Sequence, residues 1–192
     1  TVNFNGTATG TYNSKDVATA TTVTFAGLTL TGAQAGNYSL TIQAPAGKTI
    51  TAKALTMSGL STPASKIYDG TLTAAVTDAS AFTGSEAPTF NTGTDGLWYT
   101  GDTVTFAGTA TGTYNSKDVA TATTITYGGL TLAGASAGNY SLTIQSAATG
   151  KTITAKALTM SGLSTPASRI YDGTVTAAVT DASAFTGSEA PT

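Results

Sequence analysis

The chain has 192 residues, a formal net charge of only −2 and 9% charged side chains, against about 25% in an ordinary soluble domain. Neutralising a phosphate backbone takes clustered Lys and Arg, so no nucleic-acid partner is expected. With no Cys and no His, disulfides and thiolate metal sites are excluded, as are the usual neutral-pH base and zinc ligand.

Thr is the commonest residue and is interleaved with Val, Ile, Leu, Phe and Tyr. A β-branched hydroxyl residue suits a pleated strand and keeps its outer face wettable without charge, so the composition reads as all-β. The apolar runs are too short to span a bilayer, and no membrane insertion is expected.

At the start, Val2 and Phe4 alternate with Thr1 and Asn3, and Val104 and Phe106 repeat them, predicting a half-buried strand. Tyr12 to Asp16 supplies turn residues. From Val17 one parity runs through Thr19, Thr21, Val23 and Phe25, predicting a single strand face. It breaks at Ala26-Gly27 and resumes at Leu28 and Leu30, which a glycine bulge would explain. Thr31 to Asn37 reads as a loop or one helical turn, and Tyr38, Leu40 and Ile42 as the next strand.

In Lys48 to Met57, Ile50 and Ala52 share one phase and Leu55 and Met57 the other, so an extended segment there faces first one core and then the next. Lys53-Ala54 is read as a boundary between units, held by a stiff connection rather than a Gly/Ser linker. After a loop over Gly59 to Ser65 comes Lys66-Ile67-Tyr68-Asp69-Gly70-Thr71, which returns 103 residues later as Arg169-Ile170-Tyr171-Asp172-Gly173-Thr174. Asp-Gly between alternating residues predicts a tight hairpin turn with its Tyr packed inward. Leu72, Ala74 and Val76 form the next alternating run. Residues 83–102 read as a loop carrying Trp98, the only Trp. After Thr103 the opening pattern restarts.

These matches predict tandem all-β modules of Ig-like sandwich type, with a β-grasp-like arrangement as the rival topology. Residues 1–53 are read as the C-terminal part of one repeat, 54–156 as a complete repeat and 157–192 as the N-terminal part of the next. A second partition takes 1–89 and 103–192 as two units joined by 90–102. Under the first, unpaired strands at both ends predict end-to-end association with neighbouring repeats, because open edges recruit strands and few charges block them here.

The chain resembles the YDG repeats of filamentous-haemagglutinin-like bacterial surface adhesins. The pieces that carry the likeness are Ala52-Lys53-Ala54-Leu55-Thr56, the two Tyr-Asp-Gly motifs, Gly101-Asp102-Thr103-Val104-Thr105, Lys117-Asp118-Val119 and Leu132 to Leu142. The resemblance implies a secreted, extracellular protein of the bacterial cell surface in which β-rich modules repeat between an export region and a tip. It implies no catalytic motif and no cofactor.

Among candidate sites, Trp98 and Tyr99, flanked by Asp95 and Asp102, form the best patch for a host or matrix glycan. A simpler reading has the aromatic loop plug one end of a sandwich. Asp16, Asp69, Asp78, Asp95 and Asp102 lack the alternating spacing of a calcium loop. Intramolecular Lys–Asn amide bonds, known in disulfide-free surface β-domains, leave Lys15, Lys48 and Lys53 as donors, since Arg169 replaces Lys66. No nucleophile–base pair is visible. The sequence therefore predicts a structural stalk or fibre segment, with a carbohydrate-binding module as the competing function.

Overall fold

The computed structural model describes residues 1–89 and 93–188, so 90–92 of the predicted loop and 189–192 of the last repeat lie outside the described residues. The chain is all-β. In order its strands are β1 (Asn3–Tyr12), β2 (Thr22–Thr31), β3 (Ala46–Gly47), β4 (Lys53–Ser61), β5 (Ser65–Ile67), β6 (Thr73–Ala74), β7 (Thr77–Phe82), β8 (Ser85–Glu86) and β9 (Trp98–Tyr99). There follow β10 (Thr105–Tyr114), β11 (Thr124–Ala133), β12 (Tyr140–Thr143), β13 (Ala148–Thr149), β14 (Thr152–Thr154), β15 (Met160–Ser164) and β16 (Thr180–Phe185). Single 3-10 turns occupy Ala35–Asn37 and Ala137–Asn139. Among the described residues no helix is long and apolar enough to cross a membrane.

The residues gather into two compact units, Thr1–Leu60 with Asp78–Ala110 and Gly129–Gln145, and Ser61–Thr77 with Thr111–Gly128 and Ser146–Thr192. In the first, β1 and β2 pair antiparallel from Asn3 opposite Thr31 to Tyr12 opposite Val23. The predicted bulge is there: Thr7 and Ala8 fit between Gly6 opposite Leu28 and Thr9 opposite Ala26. Gly27 takes φ +86°, and a Cβ on it would lie 2.1 Å from the Thr7 carbonyl oxygen, which only glycine avoids.

The strand expected from Val17 starts only at Thr22. The Asp16 carbonyl accepts the Thr19 and Ala20 N–H groups at 3.1 and 2.8 Å, closing a turn. Asn13 Oδ1 accepts the Thr21 and Thr22 N–H groups, each at 2.9 Å. Local polar side chains thus take the backbone bonds that alternation alone assigned to a ladder.

β4 pairs in parallel with β12, Lys53 opposite Tyr140 through Thr56 opposite Thr143, and β8 pairs in parallel with β9. Leu55, Val104 and Tyr140 form the buried core here, edged by Phe82, Trp98, Tyr99 and Leu132. The Phe82 ring stacks on Phe106 with centroids 4.2 Å apart. The strand predicted at Tyr38, Leu40 and Ile42 is not formed in this stretch, whereas the same sequence at Tyr140–Thr143 is β12.

In the second unit, β5 pairs in parallel with β14, β6 lies antiparallel to Gly112 and Thr113 of β10, and β13 to Thr124 and Ile125 of β11. Ala74, Tyr114, Ala122, Ile125 and Ile153 form its core, with Tyr68 packed against them. Tyr68 packs inward as expected, whereas its counterpart Tyr171 is exposed; the hairpin was not found. The strands flanking Asp69-Gly70 pair with β14 and β10 rather than with each other, so the motif is a turn between two sheets. β15 and β16 form an antiparallel pair with their apolar side chains exposed.

Candidate functional site

The residues singled out around Trp98 are organised by two groups that alternation did not mark, Lys53 and Tyr140. Asp95 first builds the turn leading into β9: one of its carboxylate oxygens accepts the Leu97 N–H at 3.0 Å, with Gly96 at φ +79°. The Trp98 N–H then donates to the Gly84 carbonyl at 3.2 Å and the Thr100 N–H to that of Glu86 at 2.7 Å. Backbone bonds hold the aromatic pair in place.

The Lys53 side chain is buried. Its ammonium pairs with the Glu86 carboxylate and with Asp95 Oδ1 at 2.8 Å, and lies 4.3 Å from the Tyr99 ring centroid. Burial works against its charge, but Asp95 and Glu86 outweigh that and hold the ammonium above its ordinary pKa. Lys53 and the Leu97 N–H hold the Asp95 carboxyl below the usual range. On the other side the Tyr140 phenol donates to Asp102 Oδ2 at 2.6 Å and accepts the Tyr99 N–H at 3.0 Å. Burial, then the bond to Asp102, pushes this phenol up to about 12.

Asp95 and Tyr99 therefore meet around Lys53, and Asp102 joins them through Tyr140. Trp98 and Tyr99 are half-buried on the Leu55, Val104 and Tyr140 core. Sequence reasoning missed Lys53, Glu86 and Tyr140 here. One signal was available: Lys53 shares its strand phase with Leu55 and Met57, and a cation on an apolar face needs buried partners. An amine and a carboxylic acid could condense to an amide only as neutral groups, which both pKa directions oppose. Among the described residues no group of three or more His, Cys, Asp or Glu is placed to hold a metal ion.

A second cation organises the Tyr-Asp-Gly turn. Lys66 Nζ donates to Asp69 Oδ1 at 2.7 Å and to the carbonyls of Thr71 and Thr73, both at 2.9 Å. Asp69 Oδ1 also accepts the Thr71 N–H at 2.9 Å. Lys66 and then the Thr71 N–H lower this carboxyl to about 2. In the later motif Arg169 reaches Asp172 at 3.1 Å and the carbonyls of Thr174 and Thr176.

Two amides act as clasps in the first unit. Asn139 accepts the Val17 N–H at 2.9 Å and donates to Asp16 Oδ1 at 2.8 Å. Gln145 accepts the Leu60 N–H and donates to its carbonyl, each at 2.9 Å.

These side chains fix turns and join strands within an all-β fold. The chain matches the YDG domain over residues 1–46 and 51–150 and belongs to that family. Comparison with curated proteins and with solved structures gave no match.

Proposed function

We propose that the chain is a segment of a repetitive stalk or fibre of a secreted bacterial surface adhesin, spacing and displaying an adhesive region outside the cell. In this reading tandem modules of Ig-like sandwich type, or of β-grasp type, are the working parts. The observation that carries it is the Asn139 clasp on Asp16 and Val17, which fastens segments of the first unit that are far apart in sequence by more than the chain path. A spacer that transmits position needs such fixed seams, whereas a flexible linker would lose them. The reading includes no enzymatic step and no cofactor.

The second reading, a glycan-binding module built on Trp98, Tyr99, Asp95 and Asp102, is favoured by the aromatic pair keeping part of its surface exposed. A glycan array run with the chain and its Trp98→Ala variant separates the two. Trp98-dependent binding supports the second. No binding, with filaments in low-resolution images of the native particle, supports the first, and an isolated globule overturns it.

A further inference from the structure

The chain contains three Asp-Gly peptide bonds, Asp69-Gly70, Asp95-Gly96 and Asp172-Gly173. Such a bond can rearrange without an enzyme. Glycine has no Cβ to shield its backbone nitrogen, so that nitrogen can attack the carboxyl carbon of the preceding side chain. The N–Cγ bond forms, the amide proton and the carboxyl hydroxyl leave together as water, and a five-membered succinimide results. Water then reopens the ring at either carbonyl, restoring aspartate or leaving isoaspartate, in which the main chain runs through Cβ and Cγ and is one methylene longer. The turn is then misshapen while the mass is unchanged.

All three bonds sit in the same kind of clamp. One oxygen of each carboxylate accepts the N–H two residues further on, from Thr71 at 2.9 Å, Leu97 at 3.0 Å and Thr174 at 3.0 Å. Each carboxylate also holds a cation: Lys66 at 2.7 Å, Lys53 at 2.8 Å and Arg169 at 3.1 Å. Lys66 and Arg169 stand three residues before their acids, whereas Lys53 arrives from β4, so the pairing is not one motif copied. Asp78 and Asp181, each followed by Ala, give the contrast. They accept the same N–H, from Ser80 and Ser183, at 2.9 Å, and have no cation partner among the described residues. Among these five turns the cation accompanies the glycine.

We propose that Asp69, Asp95 and Asp172 are latent isoaspartate sites, and that Lys66, Lys53 and Arg169 hold them as ordinary aspartate. Ring closure needs the neutral acid, because an ionised oxygen is no leaving group, and a cation at hydrogen-bond distance disfavours that form. Closure also draws Cγ onto the glycine nitrogen, which pulls its oxygens away from the cation and the N–H together. At Asp69 the fall from 3.8 to about 2 leaves roughly sixtyfold less neutral acid at neutral pH. The reaction uses only water, and each carboxylate keeps part of its surface exposed to it. This concerns the chemical lifetime of the chain and does not depend on the stalk or the glycan reading.

Peptide mapping of the full chain, aged warm at neutral pH and read by fragmentation that separates aspartate from isoaspartate, tests it. In guanidinium, where the clamps are gone, isoaspartate accumulates at all three positions; in the native chain all three stay aspartate. Lys66→Met raises the rate at Asp69 by on the order of tenfold, since Lys66 is the largest cause of the lowered acidity constant there. It leaves Asp95 and Asp172 as they were, and Lys66→Arg changes none of the three. A simultaneous rise at Asp95 reports unfolding instead, and Arg169→Gln then decides: Ile170 and Tyr171 beside it are exposed, so the substitution disturbs no core, and Asp172 alone speeds up. Native rates equal to those in guanidinium overturn the proposal. So does a folded Lys66→Met chain with an unchanged rate at Asp69, or an Arg169→Gln chain with an unchanged rate at Asp172.

Discussion

Tyr140 and Asp102 share a 2.6 Å hydrogen bond, and the same phenol oxygen accepts the Tyr99 N–H. One hydroxyl thus ties Tyr99 to Asp102, fixing the turn that follows Trp98. Tyr140→Phe leaves a backbone donor and a carboxylate without this partner, and the expected loss is about 1–3 kcal/mol in urea denaturation. The folded-state pKa lies at about 12, above the ordinary 10.0, so this contribution is whole below pH 10 and is lost as pH rises from there towards 12. Tyr140→Phe removes that alkaline slope; an unchanged slope would assign it to another group.

Lys66 and Asp69 make the opposite pH prediction. The Asp69 carboxyl sits at about 2, below its ordinary 3.8. Its contribution is present above the ordinary value and is lost as pH falls towards 2. Denaturation midpoints between pH 5 and 2 should flatten in Asp69→Asn. Lys66→Arg is expected to be nearly neutral, given Arg169 in the equivalent turn, while Lys66→Met strips a charged donor from two carbonyls at a cost of about 1–3 kcal/mol.

Gly108 and Gly138 differ in a way that calorimetry can read. Gly108 takes φ +92°, and a Cβ there would lie 2.2 Å from the Gly129 carbonyl oxygen, whereas Gly138 has open space. Gly108→Ala should lower stability by about 1–3 kcal/mol or more. Gly138→Ala should be neutral or stabilise by about 0.4–1 kcal/mol through the unfolded chain.

Lys53 and Asp95 are expected to stay an ion pair. With the amine held above and the acid below their ordinary pKa values, neither is in the neutral form that amide condensation requires. Intact-mass spectrometry should return the mass of the sequence; a deficit of one water that Asp95→Ala abolishes would show the cross-link.

What was legible in the sequence was whatever two-residue periodicity and glycine report. Val2 and Phe4, and the phase break at Gly27, marked β1 and its bulge because a pleated strand alternates and a bulge shifts its parity, but the half-burial expected of that strand is not found, since β1 is exposed along its whole length. Val17 to Thr19 deceived because Asp16 and Asn13 compete for the backbone there. Tyr38 to Ile42 has the right alternation, but a strand needs a partner, and only the equivalent Tyr140–Thr143 has β4 beside it. The Asp95, Tyr99 and Lys53 grouping was half visible. The aromatics and acids stood out by type, but parallel pairing of distant segments, which brings Lys53 level with Tyr140, leaves no trace in local pattern.

The parallel pairing of β5 with β14 also sets how the second unit meets a pull. Tension entering at Ser65 and leaving at Thr154 drives the two strands past each other along their length, so the rungs between Thr152 and Ser65 and between Thr154 and Ile67 are stressed at the same moment. An antiparallel pair tugged at its open end would unzip one rung at a time. Shear of this kind makes three short residues per strand resist as a block.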